Sequence, residues 1–152
     1  MSLFQSLYVH IPFCRSKCGY CNFFSIAGSN CFLRNKYLDK IKSDCNRSSH
    51  RCRPLDSAFL GGGTPNYLSG DELEKLLFSL KNTLPFQSDC EFTCECNPEL
   101  LTEDKLRILR TYGVNRISLG VQTFNDQYRR ILKRTGDISH LQSLVNEIRK
   151  LG

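Results

Sequence analysis

A chain of 152 residues that is 40% apolar and 24% charged can bury a core and is the size of one ordinary domain. That composition excludes a disordered, collagen-like or multidomain design. Lys and Arg number 21 against 15 Asp and Glu; the net charge of +6 suits an anionic ligand but is spread along the chain. No apolar run approaches the roughly 18 residues of a spanning helix. The N-terminal stretch to Phe13 lacks both a basic start and a long apolar run, so it does not read as a secretory signal, and the expectation is a cytoplasmic protein with no membrane span.

Four stretches read as strands, each followed by a turn and a helical pattern. Leu7 to Ile11 leads into a cysteine-rich loop and a helix from Cys31 to Cys45, with Leu33, Tyr37, Leu38 and Ile41 at helical spacing. Between this helix and the next strand lies the densest basic run, Arg47, His50, Arg51 and Arg53. It has no interleaved aromatics and is expected to be a solvated loop, not a nucleic-acid patch. Ser57 to Leu60 runs into Gly61, Gly62, Gly63, Thr64 and Pro65. Ser69 and Glu72 then form a capping box for a helix through Leu73, Leu76, Leu77 and Leu80. Glu91 to Cys96 stops at Asn97-Pro98, and a helix starts near Thr102. The fourth strand is Asn115 to Val121, followed by a short helix from Asn125 to Lys133 and a longer one from Asp137 to Leu151.

Alternating strands and helices predict an α/β fold with a parallel sheet and right-handed crossovers. Parallel strands covered on both faces read as continuous apolar runs, but these alternate. Tyr8 and His10 oppose Leu7, Val9 and Ile11; Glu91, Thr93 and Glu95 oppose Phe92, Cys94 and Cys96; Arg116, Ser118, Gly120 and Gln122 oppose Ile117, Leu119 and Val121. One face is apolar for helices, and the other is polar, as in a partial barrel lining a ligand cavity. An antiparallel sheet with one solvated face is the alternative. On the barrel reading Cys14, Gly61, Glu95 and Gln122 converge on one rim at the carboxyl ends of the strands.

Nine cysteines, an odd number, do not make a disulfide framework, and clustered free thiols point to metal or redox chemistry. Cys14, Cys18 and Cys21 form a C-x3-C-x2-C group directly after the first strand. Such a loop suits three corners of an iron-sulfur cluster, with one iron left open to a chelating molecule. Zinc is the alternative, closed by Cys31 or another cysteine. Cys94 and Cys96 fall on the helix-facing side and read as small apolar residues. His10 reads as a hydrogen-bonded wall residue, not a ligand.

Tyr8-Val-His-Ile-Pro-Phe-Cys14-x3-Cys18-x-Tyr20-Cys21-x-Phe23, Phe59-Leu-Gly-Gly-Gly-Thr-Pro65, Glu95-Cys-Asn-Pro98 and Asn115-Arg-Ile-Ser-Leu-Gly-Val-Gln-Thr-Phe124 together resemble the radical S-adenosylmethionine (SAM) superfamily. More narrowly they resemble its branch of heme chaperones and oxygen-independent coproporphyrinogen III oxidases. The resemblance implies that Cys14, Cys18 and Cys21 ligate a 4Fe-4S cluster whose open iron is chelated by S-adenosylmethionine. Tyr8, Tyr20, Gly61, Gly62, Gly63, Thr64, Glu95, Gln122 and Arg134 match positions at the cofactor. It also implies heme or a porphyrinogen as ligand, an electron donor, and for a chaperone a heme-accepting protein.

In the oxidases a further cysteine typically stands two positions after the third ligand. Here that position is Phe23, as in the chaperone-like members. A second departure is Lys133-Arg134-Thr135-Gly136, which keeps an arginine but not the histidine often found two residues later. The resemblance also implies about six strand-helix units and a C-terminal domain, so residues 1–152 are expected to be the N-terminal part of a radical SAM core, about four strands of it and apparently truncated.

Overall fold

The computed structural model describes residues 3–134 and 136–151. In chain order the elements are β1 (Phe4–Ile11), β2 (Phe13–Cys14), β3 (Ile26–Ala27), α1 (Cys31–Ser48), β4 (Cys52–Gly62), α2 (Gly70–Thr83), β5 (Phe86–Cys96), α3 (Glu103–Thr111), β6 (Arg116–Leu119), α4 (Asp126–Ile131) and α5 (Leu141–Leu151). Strands β1, β4, β5 and β6 form one sheet in that order, every pair parallel. The antiparallel alternative is therefore overturned.

Val9, Ile11, Leu60, Phe92, Cys94 and Cys96 all point to the helix layer and are buried. There they meet Leu38 of α1, Leu73, Leu76, Leu77 and Leu80 of α2, and Leu106 and Leu109 of α3. Each leucine so buried contributes roughly 1.5–3 kcal/mol. Tyr8, His10, Glu91, Glu95, Arg116 and Ser118 occupy the opposite face and stay at least partly exposed. Thr93 is fully buried on that face, and its Oγ1 finds no partner.

The capping box forms as the sequence predicts: Glu72 N–H donates to Ser69 Oγ at 3.2 Å and Ser69 N–H to Glu72 Oε2 at 2.9 Å. The same carboxylate accepts Arg34 Nε at 2.9 Å, so the cap of α2 also fastens α1.

Several boundaries differ. β1 and β4 are longer than their alternation suggests because the ladder slips: Phe4 pairs with Cys52, but Ser6 pairs with Ser57. Such a bulge breaks the two-residue rhythm that makes a strand legible. The β4–β5 ladder slips at the same place, which conceals the start of β5 at Phe86. The basic run is not a loop: Arg47 ends α1, Ser49–Arg51 form a 3-10 turn, and Arg53 lies in β4.

β6 is shorter than expected. Asn115 Oδ1 accepts Phe92 N–H at 2.9 Å and its Nδ2 donates to Cys90 O at 3.0 Å, side-chain bonds added at that end to the backbone bond from Asn115 N–H to Phe92 O at 3.0 Å. The last helix begins at Leu141 because Asp137 turns its carboxylate onto Ser139 N and Oγ, at 2.8 and 2.7 Å, and so folds 137–140 locally. Those two bonds hold the Asp137 carboxyl below the usual aspartate range. Among the described residues no helix is long and apolar enough to cross a membrane.

Candidate metal and cofactor centre

The polar strand face ends in a cavity of about 350 Å³ at the carboxyl ends of the four strands. Its wall includes Cys14, Cys18, Tyr20 and Cys21 from the loop after β1, Gly62, Gly63 and Thr64 after β4, Glu95 of β5, Gln122 after β6, and Arg134 after α4. Ten of the twelve residues singled out from the sequence thus share one space. Tyr8 and Gly61 do not line it. Tyr8 lies two residues further down β1, its ring stacked on Phe59 with 6.1 Å between centroids. Burial and, second, the charge of Glu95 raise its phenol above the ordinary tyrosine value.

The cysteine loop is clipped at its base, where Phe13 pairs with Ile26 and Cys14 with Ala27, and Gly28 N–H donates to Cys14 O at 3.1 Å. His10 braces it from below. Its Nε2 faces the Phe24 carbonyl at 3.1 Å; a carbonyl only accepts, so Nε2 carries the proton, and in the neutral ring Nδ1 accepts the Tyr8 hydroxyl at 3.0 Å. His10 is thus a hydrogen-bonded wall residue. At the far end Gly19 N–H donates to Leu132 O at 3.1 Å, joining the loop to the end of α4.

All three loop thiols are free and part-buried. Cys14 Sγ lies 3.4 Å from Thr64 Oγ1, and Arg134 Nη1 lies 3.8 Å from Cys18 Sγ. Among the described residues no three His, Cys, Asp or Glu side chains converge on a single ion-sized point.

Glycines at the end of β4 create the room. Gly62 has φ +112° and its Cβ would strike the His10 ring at 2.7 Å, while a Cβ on Gly61 would lie 2.9 Å from Glu95 Oε2. Glu95 Oε2 accepts Gly62 N–H at 3.2 Å, fixing the carboxylate beside this bare backbone. Tyr20 has its phenol raised chiefly by burial, with Arg134 opposing the shift. Arg134 Nη2 donates to Gly120 O, and its Nε is buried without a partner.

A Schellman turn explains how Arg134 arrives there. Lys133 takes the left-handed conformation (φ 55°), its N–H donating to Arg130 O at 3.0 Å and that of Arg134 to Arg129 O at 2.8 Å. Gln122, with φ 70°, is the other non-glycine residue in that region among the described residues. The sequence reading missed a buried amide clasp, in which Asn66 Nδ2 donates to Asn97 O at 2.8 Å and Asn97 N–H to Asn66 Oδ1 at 2.9 Å, tying the ends of β4 and β5 together. It also missed the Glu99–Arg129 ion pair behind Gln122. Thr135, within the second departure noted above, lies outside the described residues.

Residues 8–152 match the family model of the Radical SAM superfamily, and the chain belongs to that superfamily. Membership implies a 4Fe-4S cluster and S-adenosylmethionine. The chain is 34% identical over 148 residues to the heme chaperone HemW of Buchnera aphidicola subsp. Schizaphis graminum, covering 96% of this chain and 39% of that protein. It is 38% identical over 135 residues to HemW of Escherichia coli, covering 88% of this chain and 35% of that one. It is also 34% identical over 152 residues to the oxygen-independent coproporphyrinogen III oxidase of E. coli, covering 97% and 33%. The solved structure of coproporphyrinogen III oxidase (HemN) from E. coli, described as a radical SAM enzyme, superimposes with a TM-score of 0.90 at 34% identity, over 97% of this chain and 34% of that one. The chain therefore spans between a third and two fifths of the length of these relatives.

Proposed function

We propose that this chain is the cofactor-holding part of a heme chaperone of the HemW kind. The observation that carries the cofactor reading is the convergence of three free thiols of one loop, the bare glycine backbone after β4 and the side chains of Glu95, Gln122 and Arg134 on one cavity.

Cys14, Cys18 and Cys21 hold three irons of the cluster, soft thiolates being the donors iron-sulfur clusters take. Their C-x3-C-x2-C spacing, with no second C-x2-C pair in the sequence to close a four-ligand site, supports a cluster over a single closed zinc ion. When bound, the cluster supplies one electron to S-adenosylmethionine held at its open iron. Gly61, Gly62, Gly63 and Thr64 leave backbone rather than side chains against the methionine part. Glu95, held by the Gly62 amide, is placed to accept from an amino group. Arg134 meets the carboxylate, Gln122 adds an amide, and Tyr20 and Tyr8 give aromatic surface.

Phe23 supports the chaperone over the oxidase. It lies on the cavity wall, 68% exposed, where it adds apolar surface beside the cluster loop in place of a thiol. The ligand so read is heme, handed on to an acceptor protein, in a reducing compartment such as the cytoplasm.

Anaerobic reconstitution tests the centre and should yield about four irons and four sulfides per chain. One equivalent of zinc without visible absorbance would overturn it. Incubating the reduced protein with coproporphyrinogen III and, separately, with heme tests the rest: stable heme binding is expected, and formation of a vinyl product would replace the chaperone with the oxidase.

A further inference from the structure

Helix α4 has no apolar anchor. Of its six residues only Arg129 is buried, at 4% exposure, while Tyr128 and Ile131 are exposed. The amphipathic face that normally docks a helix is replaced by one guanidinium.

That guanidinium reaches three segments. Nη2 donates to Glu99 Oε1 at 2.8 Å and to Gly136 O at 2.7 Å, and Nη1 faces the carbonyls of Val121 and Thr123 at 3.4 and 3.5 Å. Glu99 belongs to the turn after β5 and lines the cavity; Val121 and Thr123 flank Gln122; Gly136 follows Arg134 by two residues. A Cβ on Gly136 would collide with the Glu99 carboxylate where it now stands. Arg129 also accepts the Arg134 amide through its backbone carbonyl. Its side chain thus braces the left-handed Gln122, and its main chain sets the turn that presents Arg134.

A buried charge of this sort is costly to desolvate and stabilises the fold no better than a well-packed apolar side chain does. What it adds is direction: its hydrogen bonds fix three carbonyls, on two segments, relative to one carboxylate. We infer that Arg129 and Glu99 are positioning residues, a buried ion pair that holds Gln122 and Arg134 against the cavity. The inference rests on reading those two residues as S-adenosylmethionine contacts.

The test uses the full, anaerobically reconstituted chain and the double variant Glu99→Gln/Arg129→Gln, which leaves no uncompensated buried charge, with Arg129→Lys beside it. Two readouts are taken. In amide exchange, Gly120, Thr123 and Arg134 should exchange about tenfold or more faster in the double variant, with β4 and β5 unchanged. In electron paramagnetic resonance of the reduced cluster titrated with S-adenosylmethionine, the affinity should fall roughly ten- to a hundredfold at unchanged iron content, as outer-layer partners usually cost. Arg129→Lys keeps the charge but not the fork of donors, and should fall between.

Unchanged exchange at those three amides overturns the inference. So does accelerated exchange that spreads equally into β4 and β5, which would make the pair a general stabiliser. If the parent chain binds its cluster but its spectrum ignores S-adenosylmethionine, the reading of Gln122 and Arg134 fails, while exchange still decides whether the pair positions their loop.

Discussion

Gly63 stands against Cys14 with no space for a side chain: a Cβ on it would lie 2.9 Å from the thiol sulfur and 2.9 Å from the Phe13 carbonyl oxygen. Backbone cannot yield as a side chain does, so Gly63→Ala should push the end of β4 away from the cysteine loop. The expected loss is about 1–3 kcal/mol in urea denaturation, with reduced iron uptake. Gly61→Ala meets only the side chains of Phe59 and Glu95 and should cost less than about 1 kcal/mol, leaving iron uptake intact. The order of the two variants is the measurement that matters.

Thiol labelling should sort eight of the nine cysteines into three groups, with part-buried Cys52 left aside. Cys31 is exposed and should react with iodoacetamide in the folded chain under all conditions. Cys14, Cys18 and Cys21 should react in the apoprotein and be protected once the cluster is loaded, then react again after chelation. Cys45, Cys90 and Cys94 are buried, with their thiols raised: burial is the largest cause for Cys45 and Cys90, and for Cys94 the bond from Cys96 comes first. They should label only on unfolding, as should buried Cys96. Mass mapping of the alkylated peptides reads all three groups at once.

Gln122→Gly should separate stability from binding. The left-handed conformation costs a residue with a Cβ about 1–2 kcal/mol, and glycine escapes that cost but loses more chain entropy on folding. The variant is expected to be as stable as the parent or up to about 1 kcal/mol more so by denaturant titration. Its affinity for S-adenosylmethionine should nonetheless drop, because the amide is gone. A destabilised variant with unchanged affinity would assign the strain no functional purpose.

Lys105 should give the fold a pH dependence above neutrality. Its Nζ donates to Asn66 O at 2.7 Å and Leu100 O at 3.3 Å, and burial lowers its pKa below the ordinary lysine value. The unfolded chain therefore holds this proton more tightly, and in the window that ends near the usual value of about 10.4 stability rises with pH. Lys105→Met should remove that rise. Denaturation of both proteins at a series of pH values up to 10 measures the difference.

Much of the site was legible because strands alternate and because its residues follow strand ends. Glu95 and Gln122 could be placed at the rim from face and order alone, and Cys94 and Cys96 from the opposite face. Arg129 was not legible. Beside Arg130 in a short polar helix it has the pattern of a solvated residue, and its partner Glu99 lies 30 positions earlier. Such a pair leaves no periodic trace. The early parts of β4 and β5 escaped for a different reason: the slipped ladders between Leu55 and Ser57, and between Phe4 and Ser6, erase the alternation on which a strand is read.

The contact between Cys18 and Arg134 joins positions 116 residues apart. A ribosome therefore releases the cysteine loop long before it makes the arginine, and during that interval the loop's three thiols stand without the Arg134 contact. Contacts of such sequence separation form late. The loop would be open to stray copper or zinc, or to oxidation, until α4 docks.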